Sequence, residues 1–267
     1  MTHPATDSPR RIRCPTQTVR EGLAAPIDVA ENAIQPPFGR FLFMLEGEQY
    51  YPRLNRRPNY DPNGPSVYGE PDPVTLGLLQ AVKPHGQVLE VGAGDGRYSV
   101  PMLEQGLSVI ASDVDPEPLD ILRQRAPKDA TGALCTVSFD AFGRFPIPDE
   151  SVNAVVCTAF LYLYPESYIE IFAQQARRVL KEKGKLIIDF VTDRRRLAED
   201  GSEIVGPNEV SYDQRTGQKM LKRVLKRAGF RTPKILTSRV HQDLLSTAGF
   251  TMDGIVYLNP ESQKLSR

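Results

Sequence analysis

The fold of this chain is decided by one stretch of its sequence, Leu89-Glu90-Val91-Gly92-Ala93-Gly94-Asp95-Gly96. The apolar run that ends at Val91 predicts a short buried strand, and three alternating glycines follow it. Because glycine has no Cβ, the backbone of this turn can approach a ligand closely. A helix predicted over 97–105 would point its first amide hydrogens into the same space. The stretch therefore predicts a ligand-binding loop between a strand and a helix.

Short apolar runs alternate with helical patterns on both sides of this loop. The predicted strands lie at 87–91, 107–112, 134–139, 153–158 and 185–191, and the predicted helices at 97–105, 116–125 and 165–181. This alternation is typical of an α/β fold, a Rossmann-like three-layer sandwich with a mostly parallel, doubly wound sheet. Ligands of such sheets bind at the carboxyl ends of the strands, where the glycine loop lies.

The chain divides into two predicted parts. Residues 1–71 have little apolar periodicity and many turn formers, so we expect an N-terminal arm and a substrate lid there. Regular structure is predicted to begin at Asp72, which can cap a helix whose first residue is Pro73. Residues 72–267 are then one domain, with an insertion after the fifth strand.

Several classes of ligand use a glycine loop, and the spacing separates them. A dinucleotide-binding loop would have its third glycine at position 97, which is Arg97, and a nucleotide phosphate loop would follow Gly96 with lysine. The observed pattern, an acid followed by Gly-x-Gly-x-Gly, resembles the first motif of class I S-adenosylmethionine-dependent methyltransferases. The resemblance extends over about 87–191 and implies S-adenosyl-L-methionine as the cofactor.

The resemblance also implies roles for acids at the ends of the first three strands. Glu90 would order the glycine loop through backbone amides. Asp113 would accept hydrogen bonds from both ribose hydroxyls, which suits a carboxylate because it carries only acceptors. Asp140 would accept from the adenine amino group, although both aspartates could instead cap a helix or a loop. The residues implied to contact the cofactor are Glu90, Gly92, Ala93, Gly94, Gly96, Asp113, Val114, Asp140, Ala141 and Thr158.

Catalytic residues are harder to predict. The sulfonium is already an activated methyl donor, so the transfer needs position and desolvation more than covalent help. We leave the catalytic role unassigned, with Tyr162 and Arg194 as candidates. Tyr162 follows the fourth strand where many relatives carry histidine, and a phenol with an ordinary pKa of about 10 is a poor base. An aromatic wall is its preferred role.

The acceptor predicted from the resemblance is a small molecule that is methylated on oxygen or nitrogen. It would be anionic if Arg194-Arg195-Arg196 bind it together with Arg53, Arg56 and Arg57, because guanidinium groups pair with carboxylate or phosphate. Two alternatives stay open. The chain could methylate a macromolecule, such as a peptide, a carrier protein or RNA, and dock it through the basic segment 215–239. It could also bind the cofactor without turnover.

The segment 214–242 contains nine basic residues and no acidic ones. Apolar residues recur at helical spacing within 220–228, which would leave a solvated basic face on a helix. The competing interpretation is a β-hairpin that turns through Gln214-Arg215-Thr216-Gly217, and we favour the hairpin. An Ala-Gly-Phe occurs at both 228–230 and 248–250, and we assign the last helix to the second copy, followed by a strand at 252–258. Fewer than seven strands could then be present.

Composition excludes several other classes of function. The 33 basic and 33 acidic residues give a net charge of zero, so neither a membrane nor a nucleic-acid partner is expected. The histidines and cysteines are scattered, which predicts free thiols and no metal site. No stretch approaches the roughly 20 apolar residues of a membrane span, and no secretory signal is evident, so a cytoplasmic location is expected.

Overall fold

The computed structural model describes residues 66, 68–82, 86–205, 210–231, 233, 235–244, 250–258 and 262–264. The predicted N-terminal arm, most of the predicted lid, and Arg53, Arg56 and Arg57 lie outside these residues.

The described residues form an α/β fold, as the sequence predicts. The helices are α1 (Pro73–Gln80), α2 (Ser99–Glu104), α3 (Pro116–Arg125), α4 (Glu166–Val179) and α5 (Gln214–Arg227), with a 3-10 turn at Leu161–Leu163. The strands are β1 (Gln87–Val91), β2 (Ser108–Asp113), β3 (Leu134–Ser138), β4 (Val152–Cys157), β5 (Leu180–Leu197), β6 (Leu236–Leu244), β7 (Phe250–Leu258) and β8 (Ser262–Gln263).

The strands form one sheet in the order β3-β2-β1-β4-β5-β7-β6, and β8 pairs with β5 off this path. Strands β1 to β5 are parallel, whereas β7 is antiparallel to both β5 and β6. The register pairs Val91 with Ser112 on β2 and with Cys157 on β4, and Cys157 with Ile188 on β5. The carboxyl ends of these strands therefore meet at one edge, and the prediction of a mostly parallel, doubly wound sheet is confirmed.

Two apolar layers hold the helices on the two faces of the sheet. On one face, Leu79, Met102 and Leu119 from α1, α2 and α3 pack on strand residues such as Val156 and Ile187. On the other face, α4 and α5 contribute a second set of buried side chains that packs on the alternate strand positions, among them Ile169, Phe172, Met220, Leu221, Val224 and Leu225. Burial of one such side chain contributes about 1.5–3 kcal/mol, so both faces need their helices.

Two predicted helix starts are confirmed by their caps. Asp72 Oδ2 accepts a 2.7 Å hydrogen bond from Thr75 N at the start of α1. Asp115 Oδ1 accepts a 3.0 Å hydrogen bond from Glu117 N, and Pro116 is the first residue of α3. Each side chain satisfies one amide that the helix leaves without an intrahelical partner.

The C-terminal third differs from the prediction. The favoured hairpin is wrong, because α5 begins at Gln214, where Asp213 Oδ1 accepts from Thr216 N at 2.9 Å. The helix ends at the first Ala-Gly-Phe, with Phe230 buried. Residues 236–244 form β6 and residues 252–258 fall in β7, so the strand expected there is confirmed. The sheet has seven strands along its path where fewer were considered possible; residues 245–249, where the last helix was expected, lie outside the described residues.

Three further observations bear on the predictions from composition. Cys157 is a free, buried thiol. Within the described ranges, no cluster of three histidine, cysteine or acidic side chains could hold a metal ion. None of the helices in this part of the chain is both long and apolar enough to cross a bilayer.

Candidate functional site

A cavity lies at the carboxyl ends of β1 to β4. Its lining includes backbone of the glycine loop, acidic side chains and aromatic rings. It is lined by Tyr68, Glu90, Val91, Gly92, Ala93, Gly94, Arg97, Tyr98, Asp113, Val114, Phe139, Asp140, Ala141, Phe142, Thr158, Ala159, Phe160, Leu163 and Tyr164.

The glycine loop forms the floor of this cavity. Gly92 and Gly94 have φ values of +76° and +54°, a region of backbone that favours glycine. An added Cβ would lie 2.7 Å from the Phe160 ring at Gly92 and 2.6 Å from the Tyr68 ring at Gly94. The missing side chains therefore let two aromatic rings sit directly on the loop.

Asp113 links this loop to the end of β2. Its Oδ2 accepts a 3.0 Å hydrogen bond from Gly94 N, and its Oδ1 accepts a 3.1 Å hydrogen bond from Asp115 N. Burial raises the pKa of Asp113 to about 6, while the two backbone amides oppose the shift. Since an acid with two oxygens retains further lone pairs, it can still accept hydrogen bonds from a ligand in the cavity.

Asp140 lies at the end of β3, where the sequence analysis placed the adenine acceptor. Its Oδ1 accepts a 2.8 Å hydrogen bond from Phe142 N, and its carbonyl oxygen accepts from Gly143 N at 3.0 Å. The side chain thus caps its own turn, as the structural alternative proposed, and also lines the cavity. The two roles are compatible because each carboxylate oxygen can accept more than one hydrogen bond.

Glu90 is buried below the loop. Its Oε2 accepts a 2.5 Å hydrogen bond from Ser99 Oγ at the start of α2. Burial raises the pKa of Glu90 to about 8, against the opposing effects of the Ser99 hydrogen bond and the positive charge of Arg97. The carboxyl group therefore ties β1 to α2 through a hydroxyl, whereas the sequence analysis expected it to bind the backbone amides of the loop.

Arg97 lines the cavity, although no role in binding is predicted for it from the sequence. Its Nη1 donates a 2.9 Å hydrogen bond to the carbonyl oxygen of Tyr68, and its Nη2 donates a 3.3 Å hydrogen bond to Thr158 Oγ1. The guanidinium also lies 4.9 Å from the centroid of the Tyr98 ring. Among the described residues it forms no salt bridge, although its positive charge lowers the pKa of the nearby buried acids Glu90 and Asp189 against the effect of burial.

A second unexpected contact fixes the loop from outside. Asp95 is fully buried; its Oδ1 accepts a 2.5 Å hydrogen bond from Ser66 Oγ, and its Oδ2 lies 3.2 Å from Arg125 Nη1 of α3. Ser66 and Tyr68 belong to the segment predicted as a lid. These residues therefore lie against the glycine loop at the wall of the cavity.

Asp189 stands at the β5 side of this edge. It follows Ile188, whose register partner is Cys157 on β4. Its Oδ1 accepts a 2.6 Å hydrogen bond from Ala159 N, and Ala159 has a φ of +68°, which is unusual for a residue with a Cβ. Burial raises the pKa of Asp189 to about 6. The carboxylate thus holds the β4 loop in a strained conformation beside the cavity.

The two catalytic candidates, Tyr162 and Arg194, contact each other and do not line the cavity. The Tyr162 ring is buried and packs edge-on against Phe190, with centroids 6.4 Å apart. The Arg194 guanidinium lies 5.4 Å from the centroid of Tyr162. Neither residue lines the cavity. An acceptor would therefore have to extend outside the cavity to contact either of them.

Of the ten residues predicted to contact the cofactor, nine line this one cavity, and Gly96 is the exception. Gly96 has a φ of +97°, and an added Cβ would lie 2.4 Å from Leu122 Cδ1 of α3. Its lack of a side chain therefore allows α3 to pack under the loop. The sequence carried no local signal for Tyr68 or Asp189, which reach the site only through the fold.

Comparison with known proteins identifies the type of domain that contains this cavity. The family model for a methyltransferase domain matches residues 89–188. The matched segment includes the glycine loop, Asp113, Asp140 and Thr158, but ends before Arg194.

Two relatives illustrate the sequence similarity. An uncharacterized methyltransferase of Mycobacterium tuberculosis is 35% identical over 123 residues, which are 45% of this chain and 46% of that protein. A demethylmenaquinone methyltransferase of Tropheryma whipplei is 33% identical over 115 residues, 42% of this chain and 45% of that protein. The chain therefore spans about half the length of the curated relatives it matches.

The fold recurs in solved structures. The crystal structure of a SAM-dependent methyltransferase from Methanosarcina mazei superposes with a TM-score of 0.57 and 15% sequence identity. The match covers 74% of this chain and 100% of that one. At this identity the similarity shows that the two chains share an architecture.

Proposed function

We propose that this chain, whose residues 89–188 match a methyltransferase domain, is a class I S-adenosylmethionine-dependent methyltransferase with S-adenosyl-L-methionine as its cofactor, and that it transfers a methyl group to an oxygen or nitrogen atom of a small molecule. The observation that carries this proposal is the order of groups along one edge of the sheet. Asp140, Asp113 and the glycine loop end β3, β2 and β1, which are neighbours in that order. An adenosyl ligand laid along this edge would meet them in turn.

The adenosine half of the cofactor fits the β2 and β3 side of the cavity. Asp113 would accept from the ribose hydroxyls with lone pairs that remain beside its two backbone hydrogen bonds. Phe139 and Phe142 line the wall next to Asp140, where a flat base needs apolar or aromatic contact. The exposed Val114 side chain completes this wall.

The methionine half would lie over the glycine loop. Its carboxylate is an anion, and Arg97 is the cavity-lining cation that makes no salt bridge within the described residues. Arg97 is already aimed by Tyr68 O and Thr158 Oγ1, so binding would lose little side-chain entropy. We therefore assign the carboxylate to Arg97.

The acceptor would approach from the β4 side. If the adenosyl group lay over β2 and β3, the sulfonium would face the loop after β4, where Phe160, Leu163 and Tyr164 line the cavity. This apolar wall favours a small acceptor with an aromatic or aliphatic body. The bound cofactor would supply an activated methyl group, and the residues of this wall would position the acceptor atom for in-line attack on it.

An anionic acceptor stays a prediction. Arg194 lies over Tyr162, Arg195 is exposed and Arg196 is buried, so the three arginines do not form one clamp. An anionic group could meet Arg194 alone. Neutralising Arg194 with glutamine should raise the Michaelis constant of an anionic acceptor and leave that of a neutral acceptor unchanged.

The N-terminal residues 1–71 retain their proposed role as an arm and substrate lid. Support comes from Ser66, whose Oγ donates to Asp95 Oδ1, and from Tyr68, whose ring fills the space that a Cβ at Gly94 would need. A lid at this position would exclude water from the sulfonium when it closes.

Release of S-adenosylhomocysteine tests the proposed function. The parent chain and Asp113→Ala should be assayed with S-adenosylmethionine and a panel of phenols, quinols, carboxylates and amines. We expect turnover with at least one acceptor for the parent and a marked loss in the variant. Tight binding of S-adenosylhomocysteine without product from any acceptor would favour the non-catalytic alternative instead.

A further inference from the structure

Helix α5 presents a line of cations that the cofactor site does not use. Between residues 214 and 231 the sequence contains no acid. The basic side chains of the helix are all exposed, namely Arg215, Lys219, Lys222, Arg223, Lys226 and Arg227. The apolar side chains of α5 are buried against the sheet, so the basic face points to solvent.

Four of these residues fall on one line. Arg215, Lys219, Lys222 and Lys226 are spaced i, i+4, i+7 and i+11, which places them at nearly the same angle around the helix. Eleven residues of helix rise about 16 Å. The line therefore runs almost the full length of α5.

The neighbouring helix neutralises only the basic residues beside this line. Glu166 Oε2 lies 2.5 Å from Arg223 Nη2, and Arg227 Nη1 lies 3.6 Å from Glu166 and 4.0 Å from Glu170. Hydrogen bonding from Arg223 lowers the pKa of Glu166, so this acid stays charged. No salt bridge joins the four residues of the line to any described part of the chain.

In the isolated chain, repulsion between these four cations destabilises helix α5. Like charges at i, i+3 and i, i+4 destabilise a helix, and the line contains three such neighbouring pairs. An opposite charge from another molecule would remove this repulsion. A partner of opposite charge would therefore stabilise α5.

The pairing of α4 with α5 shows the geometry that such a partner needs. Two carboxylates at i and i+4 on α4 meet two guanidinium groups at i and i+4 on α5. We propose that the line Arg215, Lys219, Lys222 and Lys226 docks an acidic helix of a partner protein in the same way. This inference goes beyond the proposed function and does not depend on it.

The shape of the line favours a helix over nucleic acid or an anionic membrane. Its unpaired cations form a single row, and Glu166 and Glu170, with side chains 32% and 30% exposed, lie on the α4 side beside the paired Arg223 and Arg227. A broad phosphate surface would meet these acids as well as the cations. A helix with one row of carboxylates would contact only the four unpaired cations.

The start of α5 lies next to the wall of the cavity. Tyr212 Oη donates a 2.9 Å hydrogen bond to the carbonyl oxygen of Tyr164, and Val210 N donates to that of Leu163 at 3.2 Å. Leu163 and Tyr164 both line the cavity. A partner on the first turn of α5 would therefore lie near this part of the cavity wall.

A designed peptide can test this docking surface. The probe is a labelled, alanine-based helical peptide with glutamates at i, i+4, i+7 and i+11, and its control has the same composition with the glutamates spread around the helix. Fluorescence anisotropy at low and physiological salt would measure binding to the full chain. We expect the patterned peptide to bind more tightly than the scrambled one.

Charge reversal locates the contact. Lys219→Glu with Lys222→Glu should weaken binding at least about tenfold, and a peptide with lysines in place of the two central glutamates only should bind this variant more tightly than it binds the parent chain. Lys128→Glu with Lys183→Glu makes the same change of charge elsewhere and should retain binding. Affinity for S-adenosylhomocysteine should be unaltered in both variants, which separates this test from that of the cofactor site.

The proposal is overturned if the scrambled peptide binds equally well or if the control variant weakens as much. It is also overturned if a single-stranded oligonucleotide, or vesicles containing phosphatidylserine, bind the parent chain more tightly than the patterned peptide does.

Discussion

Asp113 and Gly94 are joined by a 3.0 Å hydrogen bond from the amide of the glycine to Oδ2 of the aspartate. The bond connects the end of β2 to the loop after β1, while the other oxygen of Asp113 accepts from Asp115 N. One carboxylate therefore fixes two loops before any ligand arrives. A cofactor that bonds to this acid would find the loop already in place, which reduces the entropy lost on binding.

Removal of the Arg97 charge should weaken binding of the amino-acid half of the cofactor. For Arg97→Gln we expect an about 10- to 100-fold loss in affinity for S-adenosylhomocysteine, because a hydrogen bond to a charged group contributes about 1.5–3 kcal/mol. Methylthioadenosine, which lacks the carboxylate, should bind both proteins equally. Calorimetry with the two ligands measures this difference.

The exposed Arg144 provides a control for that experiment. Arg144→Gln should bind both ligands as the parent does. Equal losses for the two ligands in Arg97→Gln would contradict the assignment, since they would indicate a general disturbance of the loop.

Glu90 should make stability fall as pH rises. Its pKa is about 8 in the folded chain against an ordinary value of 4.5, so between these values the folded state holds a proton that the unfolded state has lost. The unfolding free energy then decreases through this window and levels off above it. Glu90→Gln removes this contribution and should be more stable than the parent above pH 8.

Urea denaturation of the parent and Glu90→Gln at several pH values would check this sign. The advantage of the variant should shrink steadily as pH falls and be absent below pH 4.5. A constant difference at all pH values would mean that Glu90 does not change its protonation on folding.

Two glycines should respond to alanine in opposite ways. Gly96→Ala places a methyl group 2.4 Å from Leu122 Cδ1 at a φ of +97°, and should destabilise the chain by about 1–3 kcal/mol. Gly77 lies inside α1 with no atom within 4 Å of its absent Cβ, so Gly77→Ala should stabilise the chain by about 0.5–1 kcal/mol. Thermal unfolding of both variants measures the pair, and a stable Gly96→Ala would refute the packing role.

The parts of the fold with strong local signals were predictable from the sequence. The bounds of β1 and α3 agree with the predictions residue for residue. A glycine that directly follows the apolar run ends β1, and Asp115 with Pro116 begins α3. Such signals act within a few residues, so no knowledge of the tertiary structure is needed.

Helix α5 was not predictable in this way. Its first turn, Gln214-Arg215-Thr216-Gly217, has the composition of a turn, and Gly217 is a poor helix former. In the fold, an added Cβ at Gly217 would lie 2.7 Å from Thr192 Cγ2, so this glycine allows the helix to pack closely on β5. Tertiary packing overrides local propensity here.

The residues of the candidate site likewise include some that local sequence patterns predict and others that depend on the tertiary structure. The glycine loop, Asp113 and Asp140 could be predicted because each lies at the end of a strand with a recognisable pattern. Arg97 reaches Thr158 across 61 residues, and Asp189 reaches Ala159 across 30, so their contacts depend on the strand order.

The most direct measurement is calorimetry of S-adenosylhomocysteine, and of its 2′-deoxy analogue, on the parent chain and on Asp113→Ala. The parent should lose affinity when the hydroxyl is removed, and the variant should bind S-adenosylhomocysteine at least about 100-fold more weakly. The variant should also be indifferent to the hydroxyl, because its partner is gone. A folded Asp113→Ala that binds S-adenosylhomocysteine as tightly as the parent would contradict the account.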